Sequence, residues 1–271
     1  MEIVIDDISK DYGEKRVLDS ISFSVGNAEI VALVGPNGSG KSTLIKMLAG
    51  VHTPTSGTIG IDGRDISTMD PSDLAKMIGY VPQHFTFTLY STVFETVLLG
   101  RRQHIKWAVS DEELSRVQLA LDTLEMSHLA GSYMDQLSGG ERQKVFIARA
   151  LAQDPQIFLF DEPTSALDIR YQIEVMETMR ELTWERGSGM IIALHDLNLA
   201  YRYADTVIVL DSGKMAGYGK PPEILTPSCI NAVYGVDSFV VENENGKFLV
   251  PFRARPWNNG QENSSVVSGP R

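Results

Sequence analysis

The sequence predicts an α/β protein: a largely parallel sheet covered by helices, preceded by antiparallel strands and interrupted by a helical insertion. Three patterns predict it. Five apolar runs of strand length, at 29–34, 78–81, 157–160, 190–194 and 206–210, have helical patterns between most of them, as in a parallel sheet with crossover helices. Ahead of them, 3–8 is short and β-branched, and Ile21, Phe23 and Val25 alternate with Ser22 and Ser24, the period of a half-buried strand. Between the second and third runs, residues 84–153 carry no strong strand signal.

Within that insertion, 92–101 and 111–124 are expected to be helical, with Leu114, Val117, Leu121 and Leu124 on one face. Another helix is expected from near Glu141 to Pro155, which closes it. After the third run, Ile169, Ile173, Met176 and Leu182 mark the expected buried side of a further helix. Asp211-Ser212-Gly213-Lys214 is expected to form a hairpin turn, and Pro221 to start a helix. Residues 239–241 and 247–250 flank Asn245-Gly246, a second hairpin signal. From Ala254 onward Pro, Asn, Ser and Gly dominate, so one folded domain is expected over 1–253 and a disordered tail over 254–271.

At 271 residues and 43% hydrophobic, the chain can bury a sizeable core. No apolar run approaches the roughly 20 residues needed to cross a bilayer. The start, MEIVIDDIS, lacks the basic-then-apolar pattern of a signal peptide. A single cysteine, Cys229, excludes an intramolecular disulfide and fits a reducing cytosol; without a nearby ligand or base it is expected to be a bystander. The net charge of −11 argues against a general nucleic-acid binder, which would present a basic face.

The chemistry concentrates in two strings. Gly35-Pro36-Asn37-Gly38-Ser39-Gly40-Lys41-Ser42, followed by Thr43, fits G-x-x-x-x-G-K-[ST] between an expected strand and an expected helix. Glycines let successive backbone N–H groups turn toward phosphate oxygens, and the helix adds its positive end. Lys41 would sit near the β- and γ-phosphates of ATP and the Ser42 hydroxyl on Mg²⁺. The second string is the apolar run 157–160 ending in Asp161-Glu162. Asp161 is placed for the Mg²⁺ shell, and Glu162 to orient and deprotonate an attacking water. Alone, such a strand end is as often a pair of solvated carboxylates; the phosphate loop shifts that balance.

Ligands of open α/β sheets bind at the carboxyl ends of the strands. Four of the five expected strands deliver a polar candidate there: the phosphate loop, Gln83, the Asp161–Glu162 pair and His195. Gln83 or His195 alone would be an ordinary loop or surface residue. Their joint arrival at one edge makes both candidates for the site, with His195 able to sense a γ-phosphate.

Leu137-Ser138-Gly139-Gly140-Glu141 resembles the LSGGQ signature of the ATP-binding cassette (ABC) ATPase family, with Glu141 where Gln is more usual. Other positions are similar too. Tyr12 resembles the aromatic that stacks on adenine, and Gln83 in Tyr-Val-Pro-Gln the glutamine loop that links the Mg²⁺ and water region to a membrane partner. Ser165-Ala166-Leu167-Asp168 resembles the loop that crosses the dimer interface, and His195 the switch histidine. The resemblance runs from about residue 2 to 235. It implies a P-loop NTPase (RecA-like) core with an N-terminal antiparallel β subdomain and an inserted α-helical subdomain. It also implies an ATP-sandwich dimer, in which the signature of one copy closes over ATP on the phosphate loop of the other, and membrane permease subunits at the cytoplasmic face. Part of 84–100, with Phe85, Phe87 and Tyr90, is read as the groove for that permease. The segments around Asp168 and His195 look most similar to importers of iron–siderophore complexes, haem, vitamin B12 or molybdate, which implies an extracytoplasmic solute-binding protein. An exporter subunit and a non-transport ABC ATPase are the alternatives.

Overall fold

The computed structural model describes residues 2–83, 90–164, 167–244 and 246–254. Its central sheet has six strands in the order β10 (Lys214–Gly219), β9 (Thr206–Asp211), β3 (Ile30–Val34), β8 (Gly189–Ala193), β7 (Ile157–Asp161), β6 (Ile78–Val81). All pair in parallel except the β9–β10 hairpin, which turns at Ser212-Gly213, both with positive φ. The five apolar runs are thus the five parallel strands.

Strand alternation sends successive side chains of β3 into two different cores. Val31 and Leu33 face a cluster with Leu44, Ile45, Leu159, Ile191 and Ile208. Here α1 (Lys41–Leu48) and the N-terminal sheet cover the central sheet. Ile30, Ala32 and Val34 face the opposite cluster, which continues through Phe158, Phe160 and Val207 into the helices. Each such buried aliphatic side chain contributes about 1.5–3 kcal/mol; double burial is why the strands read as continuous apolar runs.

The N-terminal sheet runs β2 (Lys15–Val25), β1 (Ile3–Tyr12), β4 (Ser56–Ile61), β5 (Arg64–Asp65) and is antiparallel. The sequence showed β1 and β2 but not β4, whose SGTIGI lacks an apolar run and is recruited by pairing Ile61 with Ile3. Pro71–Met77 forms α2 ahead of β6.

In the insertion, α3 (Val93–Leu98), capped by Thr92 with Glu95, extends through a 3-10 turn to Arg101. It packs with α4 (Asp111–Thr123) and α5 (Gly139–Gln153). Val117, Leu121 and Leu124 are buried as expected, but Leu114 is exposed. The inward position goes to Glu113, held by the Ser110 backbone N–H and hydroxyl and by a buried Arg101 at 4.0 Å. A second correction concerns α6 (Ile169–Arg186): Ile169 is 77% exposed, and the buried stripe is Val175, Met176, Met179 and Leu182. Ile169 opens the helix directly after the Asp168 cap, where apolar character does not mean burial.

After β8 come α7 (Leu197–Tyr203), then β9 and β10, α8 (Pro221–Ile224) and α9 (Pro227–Tyr234). A hairpin of β11 (Val236–Asn243) and β12 (Gly246–Ala254) follows, longer than its apolar centre suggested. Ala254 still pairs with Val236; Asn245 and the expected tail from 255 on lie outside the described residues. Cys229 is half-buried in α9. Among the described residues no helix is long and apolar enough to cross a membrane.

Candidate functional site

The loop after β3 owes its shape to close approach. A Cβ on Gly35 would lie 2.1 Å from the Leu210 carbonyl oxygen, so only glycine fits there. Gly40, at φ 108°, begins α1, and no side chain caps that helix, leaving its first-turn N–H groups and positive end for an anion. Lys41 is buried and donates from Nζ to the carbonyls of Gly35 (2.7 Å) and Pro36 (3.1 Å). Burial pushes its pKa down, while Glu162 and Asp161 act the other way. The Ser39 hydroxyl, in the same loop, is buried with no hydrogen-bond partner among the described residues.

At the end of β7, Asp161 is buried and accepts a hydrogen bond from Ser42 Oγ at 2.8 Å. Burial pushes its carboxyl above the usual range, against the Ser42 hydrogen bond. Glu162 follows at φ 55°, a conformation that costs a non-glycine residue about 1 kcal/mol or more. That turn brings its carboxylate to two partners: Gln83 Nε2 donates to Oε2, and His195 Nε2 lies 2.6 Å from Oε1. Glu162 is 7% exposed and His195 45%. A carboxylate gripped from two sides at the rim of a cavity has the placement of a general base, able to take a water's proton and pass it outward through the imidazole.

One cavity of about 480 Å³ gathers Asn37, Gly38, Gly40, Lys41, Ser42, Thr43, Gln83, Glu162 and His195, with Asp161 joined through Ser42 and Gly35 and Pro36 through Lys41. Lys15 and Val17 also line it. Sequence reading missed them, although both lie on β2, the strand that pairs with the Tyr12 strand. Among the described residues no cluster of three His, Cys, Asp or Glu forms a metal cage. The Ser42–Asp161 pair suits Mg²⁺, which takes one or two protein oxygens and completes its shell with phosphate and water.

Tyr12, Ser138, Gly139, Gly140, Glu141 and Asp168 do not line this cavity. Tyr12 is 47% exposed, its ring edge-on to His52 at 6.0 Å, and is not a core tyrosine. Ser138 caps α5 in a reciprocal box: its Oγ accepts from the Glu141 N–H at 3.3 Å, and Glu141 Oε2 accepts from the Ser138 N–H (2.8 Å) and Oγ (2.7 Å). The hydroxyl hydrogen bond, then the backbone one, hold the Glu141 carboxyl below its ordinary value. Asp168 caps α6, accepting from the Tyr171 N–H at 3.0 Å. Ser165 and Ala166 lie outside the described residues.

Comparisons with known proteins point to one family. A family model described as ABC transporter matches residues 18–165. An uncharacterised ABC transporter ATP-binding protein of Methanocaldococcus jannaschii is 44% identical over 91% of this chain and 96% of its own. The hemin import ATP-binding protein of Thermobifida fusca is 39% identical over 87% and 83%. An inward-facing metal-chelate type ABC transporter superposes with a TM-score of 0.81 at 29% identity, covering 93% of this chain and 97% of that one. A dimeric ATP-binding cassette in a post-hydrolysis state with ADP and Pi gives 0.74 at 32% identity, covering 81% and 98%. The chain belongs to the ABC transporter family, as an ATP-binding subunit that hydrolyses ATP with Mg²⁺.

Proposed function

We propose that the chain energises an importer of a metal chelate, such as an iron–siderophore complex, haem or cobalamin, from the cytoplasmic face of a membrane. The observation that carries the mechanistic half is the separation of two anion-binding helix tips. The cradle cavity holds α1 and the carboxylates but nothing of 138–141. A second copy would bring its Ser138–Glu141 tip to this cradle, giving two shared sites per dimer, a reading supported by the dimeric cassette of similar fold. Within each site Lys41 and the loop N–H groups would bind the phosphates, and Ser42 and Asp161 would hold Mg²⁺, which would offset phosphate charge. Gln83 and His195 fix Glu162, which takes the proton of the attacking water. Tyr12 would face the adenine, and Asp168 would border the partner copy.

The cargo class rests on relatives: the hemin import protein, an Escherichia coli ferric enterobactin transport ATP-binding protein and the metal-chelate transporter fold. A permease would dock in an apolar groove of about 490 Å³ lined by Tyr90, Leu98, Leu99, Arg102 and Ile105. Tyr90 is largely exposed there, whereas Phe85 and Phe87 lie outside the described residues. A solute-binding protein would deliver cargo on the far side.

The test is ATP turnover by wild type and Glu162→Gln, with dimer content measured by size exclusion in Mg²⁺-ATP. The expected result is turnover lower by about 10²–10⁴-fold and a dimer that persists in the variant. Wild-type turnover would remove Glu162 from the base role. Stimulation of the permease-reconstituted complex by metal chelates, and not by oxyanions, would support the cargo class; the reverse order would overturn it.

A further inference from the structure

The C-terminal hairpin reaches the neighbourhood of the nucleotide site through α7. The N-cap of that helix, Asp196, directly follows His195 and accepts from the N–H groups of Asn198 (2.7 Å) and Leu199 (3.3 Å). From that first turn the Asn198 side-chain amide reaches β12. Its Oδ1 accepts from the Leu249 N–H at 2.8 Å, and its Nδ2 donates to the Leu249 carbonyl at 3.2 Å. One amide thus satisfies both backbone groups of a buried strand residue, as a neighbouring strand would. His195 is therefore followed by a turn of helix held at both its cap and its flank.

The hairpin is anchored in turn: Asn231 of α9 donates to Asp237 of β11 at 2.7 Å, and β11 pairs with β12 along its length. One C-terminal module, α9 with β11–β12, therefore holds the helix that follows His195.

We propose that α9 with β11–β12 is a positioning module for ATP turnover, acting on His195 through Asn198. This rests on the site roles given above. Asn198 touches no reacting atom; loss of its amide frees the helix behind His195 and slows the chemical step.

The experiment measures kcat and KM for ATP, with thermal midpoints, in full-length wild type, Asn198→Leu and Glu162→Gln. Asn198→Leu is expected to lower kcat roughly tenfold with KM unchanged, the scale of losing a hydrogen bond that orders the transition state. If Asn198→Leu does not fold, Asn198→Asp replaces it: it keeps the acceptor for the Leu249 N–H but sets a carboxylate against the Leu249 carbonyl, and a kcat-only loss is again expected. A parallel change in kcat and KM, or wild-type values of both, overturns the proposal. An active Glu162→Gln would instead overturn the site roles on which it rests.

Discussion

Two helix tips in this chain are finished by opposite designs. The tip of α1 is uncapped: Gly40 supplies no side chain, Lys41 is pinned to the loop carbonyls, and an orphan Ser39 hydroxyl lies buried in the loop. The tip of α5 is fully capped by its own Ser138–Glu141 box. An uncapped tip carries unsatisfied N–H groups and gains most when a ligand arrives. A capped tip is stable by itself, and a ligand must displace or share existing hydrogen bonds. On the proposed function, the first would hold nucleotide in a lone subunit, while the second would add only what a dimer needs for closure, a weaker increment that hydrolysis could undo.

The strongest way to break this comparison is to disable the tips separately and then mix them. Lys41→Ala spoils the cradle, and Ser138→Arg fills the capped tip; each alone is expected to lose at least about a hundredfold in turnover. Ser138→Arg should still bind nucleotide as a monomer, whereas Lys41→Ala should not. Mixing the two is expected to restore activity, because a mixed dimer holds one site with an intact cradle from one copy and an intact tip from the other. ATPase assay of the mixture is the measurement. No recovery above the sum of the separate variants would place both tips in one chain's site.

A smaller effect sharpens the cradle half. Burial raises the Asp161 pKa, so the folded carboxyl binds a proton more readily than the unfolded one. Stability therefore falls as pH climbs from the unfolded value through the raised one, and stays reduced above it. Asp161→Asn removes that burden while its amide can still hydrogen-bond Ser42. At pH 7 the nucleotide-free variant is expected to melt a few degrees higher, about 1 kcal/mol, with the gain vanishing in acid. The same variant should lose most of the stabilisation that Mg²⁺-ATP gives wild type. Melting curves over pH, with and without Mg²⁺-ATP, test both.

The difference between the tips also explains what the sequence could reveal. The cradle is local: its glycines, Lys41 and Ser42 are contiguous, and the strand-end logic brought Gln83, Glu162 and His195 to the same edge, where the structure joins them in one network. Lys15 and Val17 were missed because they reach the cavity through a β1–β2 hairpin, whose approach depends on packing and not on a motif. In the fold, the doubly buried strands were legible and the glycine-rich β4 was not, since its pairing with β1 is set across the chain. Ile169 and Leu114 misled because periodicity gives a helix face but not where the neighbouring layer ends or which charged group, here Glu113, has an internal partner.

The smallest prediction concerns the capped tip itself. Glu141→Gln preserves the reciprocal box, since glutamine also reaches the Ser138 N–H, but removes a negative charge from the helix N-terminus. That charge is worth about 0.3–1 kcal/mol to the isolated helix, so a slight loss of stability is expected at neutral pH. The lowered Glu141 pKa gives this contribution its window: it is present above the ordinary carboxylate range and fades as pH falls through the lowered value. In the dimer the sign reverses, because the carboxylate repels the phosphates of nucleotide held by the partner's cradle. ATP-driven dimerisation of Glu141→Gln should therefore tighten by roughly two- to fivefold, read as the protein concentration at half-maximal dimer in Mg²⁺-ATP. A weakened dimer would mean that the closed state recruits the Glu141 charge for a contact of its own, and that the α5 tip is more than a neutral lid.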